Sequence, residues 1–327
     1  MKEVQLDLGA YASQETAPGL GCWRYERPLP LRTDGRLRVV ATGIGAAFSL
    51  NMRQSNFILI KGETAVFVDL GMQASRRLAE FGVSCHDIEH LIVTHSHADH
   101  MGSLEELALK RRYEAPLFEV PREKAETDRS YAVRLAAARQ TGRFRPKLYV
   151  PDFYARELWD YSLRGGLMFS EEVEAKGPEG GMKLEHFFEV IQPRERDDDI
   201  YSWEVEIGGI HILTFVTKHV PDALSKGAKR MYTVGMVVDH RLYISGDTQF
   251  DPTPIKHFGK DCEALWHDAQ HFKGGVHAWY GDLQRLPDSV KERMHLYHLS
   301  EGMLDIDVEA DGFAGFLRPA PTVYDFD

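Results

Sequence analysis

The sequence is short of cysteine, of long apolar runs and of positive charge, and each shortage weighs against a class of protein. Only Cys22, Cys85 and Cys262 occur. They are odd in number and far apart, so neither a disulfide framework nor a cysteine-based zinc knuckle can be read from them. No stretch reaches the roughly 18 apolar residues of a membrane span, and the opening MKEVQLDLGAYASQ lacks the apolar centre of a secretion signal. The expectation is a cytoplasmic protein with no membrane contact. Lys and Arg number 39 against 50 Asp and Glu, a formal charge of -11, which weighs against a broadly basic nucleic-acid binder. What remains is a globular composition over 327 residues, long enough for a large core.

Short β-rich runs open the chain at Leu37–Thr42, Ser55–Lys61 and Ala65–Leu70, each bounded by Gly or charged residues. Ala74, Leu78 and Phe81 recur at helical spacing within 73–82, and Gly82 stops them. A short apolar strand, Leu91–Thr94, is followed by SLEELALKRR, whose Ser103 and Glu106 have the spacing of a capping box. From Arg122 to about Gln192 the pattern turns helical and polar, with SYAVRLAAARQ and FYARELWDYSLRGG as helices and AKGPEGG as a loop. Between Lys110 and Lys147 eleven Lys or Arg stand against five Asp or Glu, a basic island that reads as a solvated face or as a substrate-contacting arm. Strand signals return in YSWEVEI, HILTFV, YTVGMVV and RLYISGD. The expected architecture is one α/β domain over 1–327, a four-layer αββα sandwich with a helical insertion at 122–192 that is a lid or substrate arm.

The densest chemistry lies in IEHLIVTHSHADHMGSLEEL, residues 88–107. His95, His97, Asp99 and His100 follow a strand directly, and imidazole nitrogens with a carboxylate are what Zn²⁺ prefers. One such loop can serve two adjacent ions, provided other segments supply more ligands and a shared group. His219 after HILTFVTK, Asp247 in LYISGDTQ and His298 after MHLY are the candidates, each standing where an apolar strand gives way to a loop.

In this order the chain resembles the metallo-β-lactamase superfamily: Asp69 in FVDLG, the cluster THSHADH, then His219, Asp247 in ISGDT, and His298. The resemblance implies that His95, His97 and His219 hold a first metal, that Asp99, His100 and His298 hold a second, and that Asp247 bridges them. Asp69 would stand behind the ligands and accept hydrogen bonds that brace the cluster loop. Zn²⁺ is the expected metal, with Mn²⁺ or Fe²⁺ as alternatives. His97 replaces the Glu of the oxygen-reducing flavodiiron branch, and Asp247 replaces the Cys of lactamase branches.

LWHDAQHFKGGVHAWYGDLQRLP followed by LYHLS, together with the opening ATGIGAAFSLNMRQSNFIL, resembles the ribonuclease Z and phosphodiesterase branch. By that resemblance Asp268 and His277 join Asp99 as catalytic residues, with His277 protonating the leaving group, Asp268 orienting it and a metal-bridging hydroxide attacking phosphorus. The chain departs from ribonuclease Z in two places: no Gly/Pro-rich tRNA-clamping arm stands at its usual point, although 122–192 occupies comparable chain territory, and HLSEG lacks the Arg-Tyr expected there. The expected partner is therefore a small or cyclic phosphodiester, or RNA. Alternatives are a lactone, thioester, sulfate ester or β-lactam hydrolase, and an inactive metal-stabilised binding protein. His267 and His271 read as supporting or surface residues. Lys229 and Arg230 read as contacts for an anion or as idle charges, and Trp159, Tyr161, Leu167 and Met168 as a lid or as helix packing. GFAGFLRP near the C-terminus reads as core closure or as the contact of a homodimer.

Overall fold

The computed structural model describes residues 1–17, 20–171, 180–220 and 231–327. Lys229, Arg230 and most of AKGPEGG lie outside them. Two eight-stranded sheets dominate. The first runs, edge to edge, Lys2–Gln5, Thr322–Phe326, Leu37–Gly43, Asn56–Lys61, Thr64–Val68, His90–Ile92, Lys147–Tyr149 and Glu189–Ile191. The second runs Arg194–Glu195, Ser202–Ile207, Ile210–Val216, Val234–Val238, Leu242–Ile244, Ala264–Asp268, Met294–Tyr297 and Gly315–Phe316.

NFILIK shows why the sheets pack as they do. Every residue of Asn56–Ile60 is buried, as a strand covered on both faces demands. Phe57 and Leu59 belong to the core shared by the sheets, and Ile58 and Ile60 to the core under the helices. The Phe57 ring meets Trp266 and Tyr297 of the opposite sheet at 5.5 and 5.3 Å. Leu78, Leu104, Leu107 and Leu158 cover the outer face of the first sheet. Ile255 and Leu283, from short helical segments after the later strands, are buried with the inter-sheet core, and so is Leu286. Phe313 and Leu317 of GFAGFLRP are buried, and Gly315–Phe316 forms the last strand of the second sheet.

The segment 122–192 differs from its helical reading. It carries helices at Asp128–Gln140 and Asp152–Leu158, but also the strands Lys147–Tyr149 and Glu189–Ile191, which extend the first sheet in parallel. Three-residue strands are too short for period-two alternation to register. The capping box at Ser103 also fails to form: its hydroxyl donates to the Gly71 carbonyl at 2.6 Å, while Glu106 pairs with Lys110 at 2.9 Å. Tertiary contact with the loop after Asp69 outcompetes the local cap. Among the described residues no helix is long and apolar enough to cross a membrane.

Candidate metal centre

Strands Thr64–Val68, His90–Ile92, Leu242–Ile244, Ala264–Asp268 and Met294–Tyr297 lie in the parallel portions of the two sheets. Within each run the carboxyl ends therefore share one edge, where open α/β sheets place their sites. Asp69, the histidine cluster, Asp247, Asp268 and His298 all occur at or just beyond those ends, and His219 follows Ile210–Val216. Asp69 and His298 adopt positive φ, 64° and 58°, a conformation that costs a non-glycine residue energy and is held only by its surroundings.

At Asp69 those surroundings are explicit. The Thr94 amide and hydroxyl each donate to its carboxylate at 2.7 Å, and His100 Nδ1 donates at 2.7 Å. One buried carboxylate thus fixes both ends of the cluster loop. Residues 98–101 are already a helical turn, so Asp99 and His100 project from a helix start rather than from a free loop. Leu70 N donates to His100 O at 2.6 Å and Met72 N to Ala98 O at 3.0 Å. Gly71 is so close that a Cβ there would stand 2.0 Å from the Asp99 carbonyl. Asn56 Oδ1 accepts from Gly71 N at 2.7 Å. The roles of Gly71 and Asn56 escaped sequence reasoning, although both lie in stretches that carry the resemblance.

The chain brings all seven expected ligands together. His95, His97 and His219 offer nitrogens within 4.8 Å of one another, and Asp99, His100, Asp247 and His298 form a second group whose nitrogens and carboxylate oxygens lie equally close. Asp247 Oδ2 stands between the groups: 3.2 Å from His100 Nε2, 3.3 Å from His298 Nε2, and 3.8 Å from both His95 Nε2 and His219 Nε2.

The hydrogen bonding calls for cations. His219 Nδ1 donates to the Val276 carbonyl at 2.9 Å, so neutral His219 presents a bare Nε2. The Thr94 hydroxyl gives its proton to Asp69 and accepts from His95 Nδ1 at 3.2 Å, leaving His95 Nε2 bare as well. Both bare nitrogens lie 3.0 Å from His97 Nδ1, which has at most one proton to share. Burial holds His95, His97 and His219 below the usual histidine range, so neutral imidazoles, the form that ligates metal, converge here.

In the second group His100 Nε2 has no hydrogen-bond partner among the described residues, yet it faces Asp99 Oδ2 at 3.3 Å and Asp247 Oδ2 at 3.2 Å. Burial opposes a charge on His100, but Asp247 and Asp69 raise its affinity for a proton well above normal. Burial likewise opposes ionisation of Asp99 and Asp247, and neighbouring histidines overcome it, holding both carboxyls well below their usual range. Anionic oxygens and bare nitrogens collected in a buried space fit divalent cations.

Asp268 and His277 adjoin this group. His277 Nδ1 donates to Asp268 Oδ2 at 2.9 Å, and Thr248 N donates to the same oxygen at 3.1 Å. The His277 ring lies 4.5 Å from that of His298 and 5.0 Å from that of His219. Burial would lower its affinity for a proton, but the Asp268 hydrogen bond and the nearby carboxylates raise it above the histidine norm. His267 is buried, with Nδ1 donating to the Asp268 carbonyl at 2.9 Å, and exposed His271 meets Ser300 Oγ at 3.0 Å.

The basic island proves largely structural. Arg111 donates to the Phe144 and His86 carbonyls at 2.7 and 2.6 Å, and Arg145 to the Glu185 carbonyl at 2.6 Å. Arg112 grips Glu171 at 2.7 and 2.9 Å and the His186 carbonyl at 2.9 Å. Arg134 holds Glu126 through two bonds of 2.9 Å. Leu167 is buried and Trp159 stacks on Phe187 at 6.5 Å, whereas Tyr161 is exposed.

Two facing sheets with the site at their common edge define the metallo-β-lactamase fold, and solved structures agree. A diphosphatase of the PhnP family superposes with a TM-score of 0.58 at 13% identity, over 89% of this chain and 98% of that one. The short form of human tRNase Z gives 0.52 at 15% identity, over 88% and 98%. Residues 37–121 and 132–323 match the family described as Anti-Pycsar protein Apyc1, and the chain belongs to that family. The Anti-Pycsar protein Apyc1 of Paenibacillus xerothermodurans is 27% identical over 271 residues, 82% of this chain and 89% of that protein.

Proposed function

We propose that the chain is a two-metal phosphodiesterase acting on small phosphodiesters, cyclic nucleotides among them. The observation that carries this reading is the Asp268–His277 pair set against the two ligand groups, because it adds a positioned acid to a site for two cations. His95, His97 and His219 would hold one ion, Asp99, His100 and His298 the other, and Asp247 both. Bound there, the ions supply acidification of water and neutralisation of charge on phosphoryl oxygens.

The chain's own residues do the rest. Asp69 and the Val276 carbonyl orient His100 and His219 through their far nitrogens. His277, protonated and aimed by Asp268, delivers a proton to the departing oxygen, which matters most when the leaving group is a poor one such as a sugar hydroxyl. Zn²⁺ is the proposed metal. An RNA substrate is less well supported: phosphate contacts dominate RNA affinity, and several arginines of the basic island are engaged by carbonyls and carboxylates. The names of the diphosphatase and tRNase Z neighbours accord with chemistry at phosphorus.

The test is turnover by metal-stripped and zinc-reloaded protein on bis(p-nitrophenyl) phosphate, a cyclic nucleotide, a 3′-extended RNA, a lactone and a thioester. The expected result is zinc-dependent cleavage of the first two. Cleavage of the lactone or thioester with neither phosphodiester touched defeats the reading, and so does no turnover with two ions bound.

A further inference from the structure

Ser96 sits between two expected ligands, and the side chain that meets it from the helix layer is Tyr154. We infer that Tyr154 is a positioning residue for the metal centre, its phenol fixing Ser96 so that His95 and His97 converge with His219. This rests on reading the cluster as a two-cation site.

In extended chain, successive side chains point to opposite sides, and His97 is extended, with φ −72° and ψ 149°. His95 and His97 can therefore face the site only if Ser96 turns away from it. On that reverse side the Ser96 hydroxyl lies 2.9 Å from the Tyr154 hydroxyl. Tyr154 belongs to helix Asp152–Leu158 and is 1% exposed. Its ring stacks on Tyr232 with centroids 4.1 Å apart and planes 23° apart. Tyr232 is itself anchored next to the site. Thr217 N, two residues before His219, donates to the Thr233 carbonyl at 3.0 Å, and Val234 N donates to the Thr94 carbonyl at 3.2 Å. One stacked tyrosine pair thus ties together the backbone that carries His219, the backbone that carries His95, and the hydroxyl that orients the residue between His95 and His97. A free serine rotor would leave that set loose. Burial keeps the Tyr154 phenol neutral, so it can serve as donor or acceptor.

Tyr154→Phe retains the ring and its stacking and removes only the hydroxyl. Chelator competition on the full chain with Zn²⁺ reads the two dissociation constants separately. Groups bonded directly to a metal ligand change affinity about 10- to 100-fold when removed, and Tyr154 acts one residue further back, at the low end of that range, about 10-fold. The expected result is weakening of that order at the ion held by His95, His97 and His219, with the other within about twofold; weakening confined to the other ion overturns the inference. Ser96→Ala should reproduce it, and the double variant should add nothing, because both changes break one contact. Unchanged affinities in both variants overturn the inference. So does equal weakening of both ions accompanied by earlier unfolding of the metal-free protein, since that marks general packing. If the unaltered chain binds fewer than two ions, the metal reading itself falls, and the inference with it.

Discussion

Gly71→Ala adds one methyl group where the loop after Asp69 crosses the cluster. No positive φ is involved, so the cost is purely steric. The new Cβ would stand 2.0 Å from the Asp99 carbonyl oxygen and 2.6 Å from its carbon, against about 3.4 Å for ordinary contact, and the two backbones must separate by roughly 1.4 Å. The bonds Leu70 N to His100 O and Met72 N to Ala98 O, at 2.6 and 3.0 Å, do not survive such a shift. At about 1 kcal/mol each, with overpacking strain of about 1–3 kcal/mol, the loss is about 3–5 kcal/mol. Should the fold absorb it, Asp99 and His100 move instead, and a displacement near 1 Å costs on the order of 100-fold in turnover. Urea unfolding, bound metal per chain and kcat on bis(p-nitrophenyl) phosphate measure the three consequences. Gly165→Ala is the control, because a Cβ there meets nothing within 4 Å. Wild-type stability, metal content and kcat together in Gly71→Ala would refute the steric argument.

His277→Ala should lower kcat by about 100-fold or more on a phosphodiester with a sugar leaving group and far less on bis(p-nitrophenyl) phosphate. Equal losses on both would remove His277 as the acid. Because its proton affinity is raised, the protonated form persists to higher pH than a free histidine allows. The alkaline decline of activity on the poor leaving group should therefore be absent in the variant. His295, near the start of the strand Met294–Tyr297 that leads into His298, offers a further test. Burial lowers its pKa to about 4 from an ordinary 6.5, so the unfolded chain takes up the proton first as pH falls. The stability it contributes is complete above pH 6.5 and is lost as pH falls toward 4, on the order of 3 kcal/mol. His295→Leu should flatten stability across that window in urea titrations, and an unchanged slope would exclude His295 as its source.

The legible parts of this protein are those in which physics acts locally. Strands such as Asn56–Lys61 announce themselves because both faces must be apolar, and the cluster His95–His100 because four ligand-type side chains in six positions have few other uses. Illegible parts depend on competition between distant segments. Ser103 and Glu106 form a sound local capping pattern, yet the hydroxyl bonds Gly71. Lys147–Tyr149 and Glu189–Ile191 become strands only because a sheet edge is there to receive them. The charge count of 110–147 left a solvated face and a substrate-contacting arm open, whereas the fold turns several of those arginines onto backbone carbonyls.

By itself, then, the order of residues determined which side chains were candidates to grip cations and that they lie where apolar strands end, since ligand chemistry and hydrophobic periodicity are both written in residue type and spacing. Only the tertiary structure decided that Asp247 stands between two groups of nitrogens, that Asp69 and the Val276 carbonyl set which imidazole nitrogens are bare, and that Tyr154 backs Ser96. Those are relations between segments up to two hundred residues apart, and distance in space is settled by how the two sheets pack.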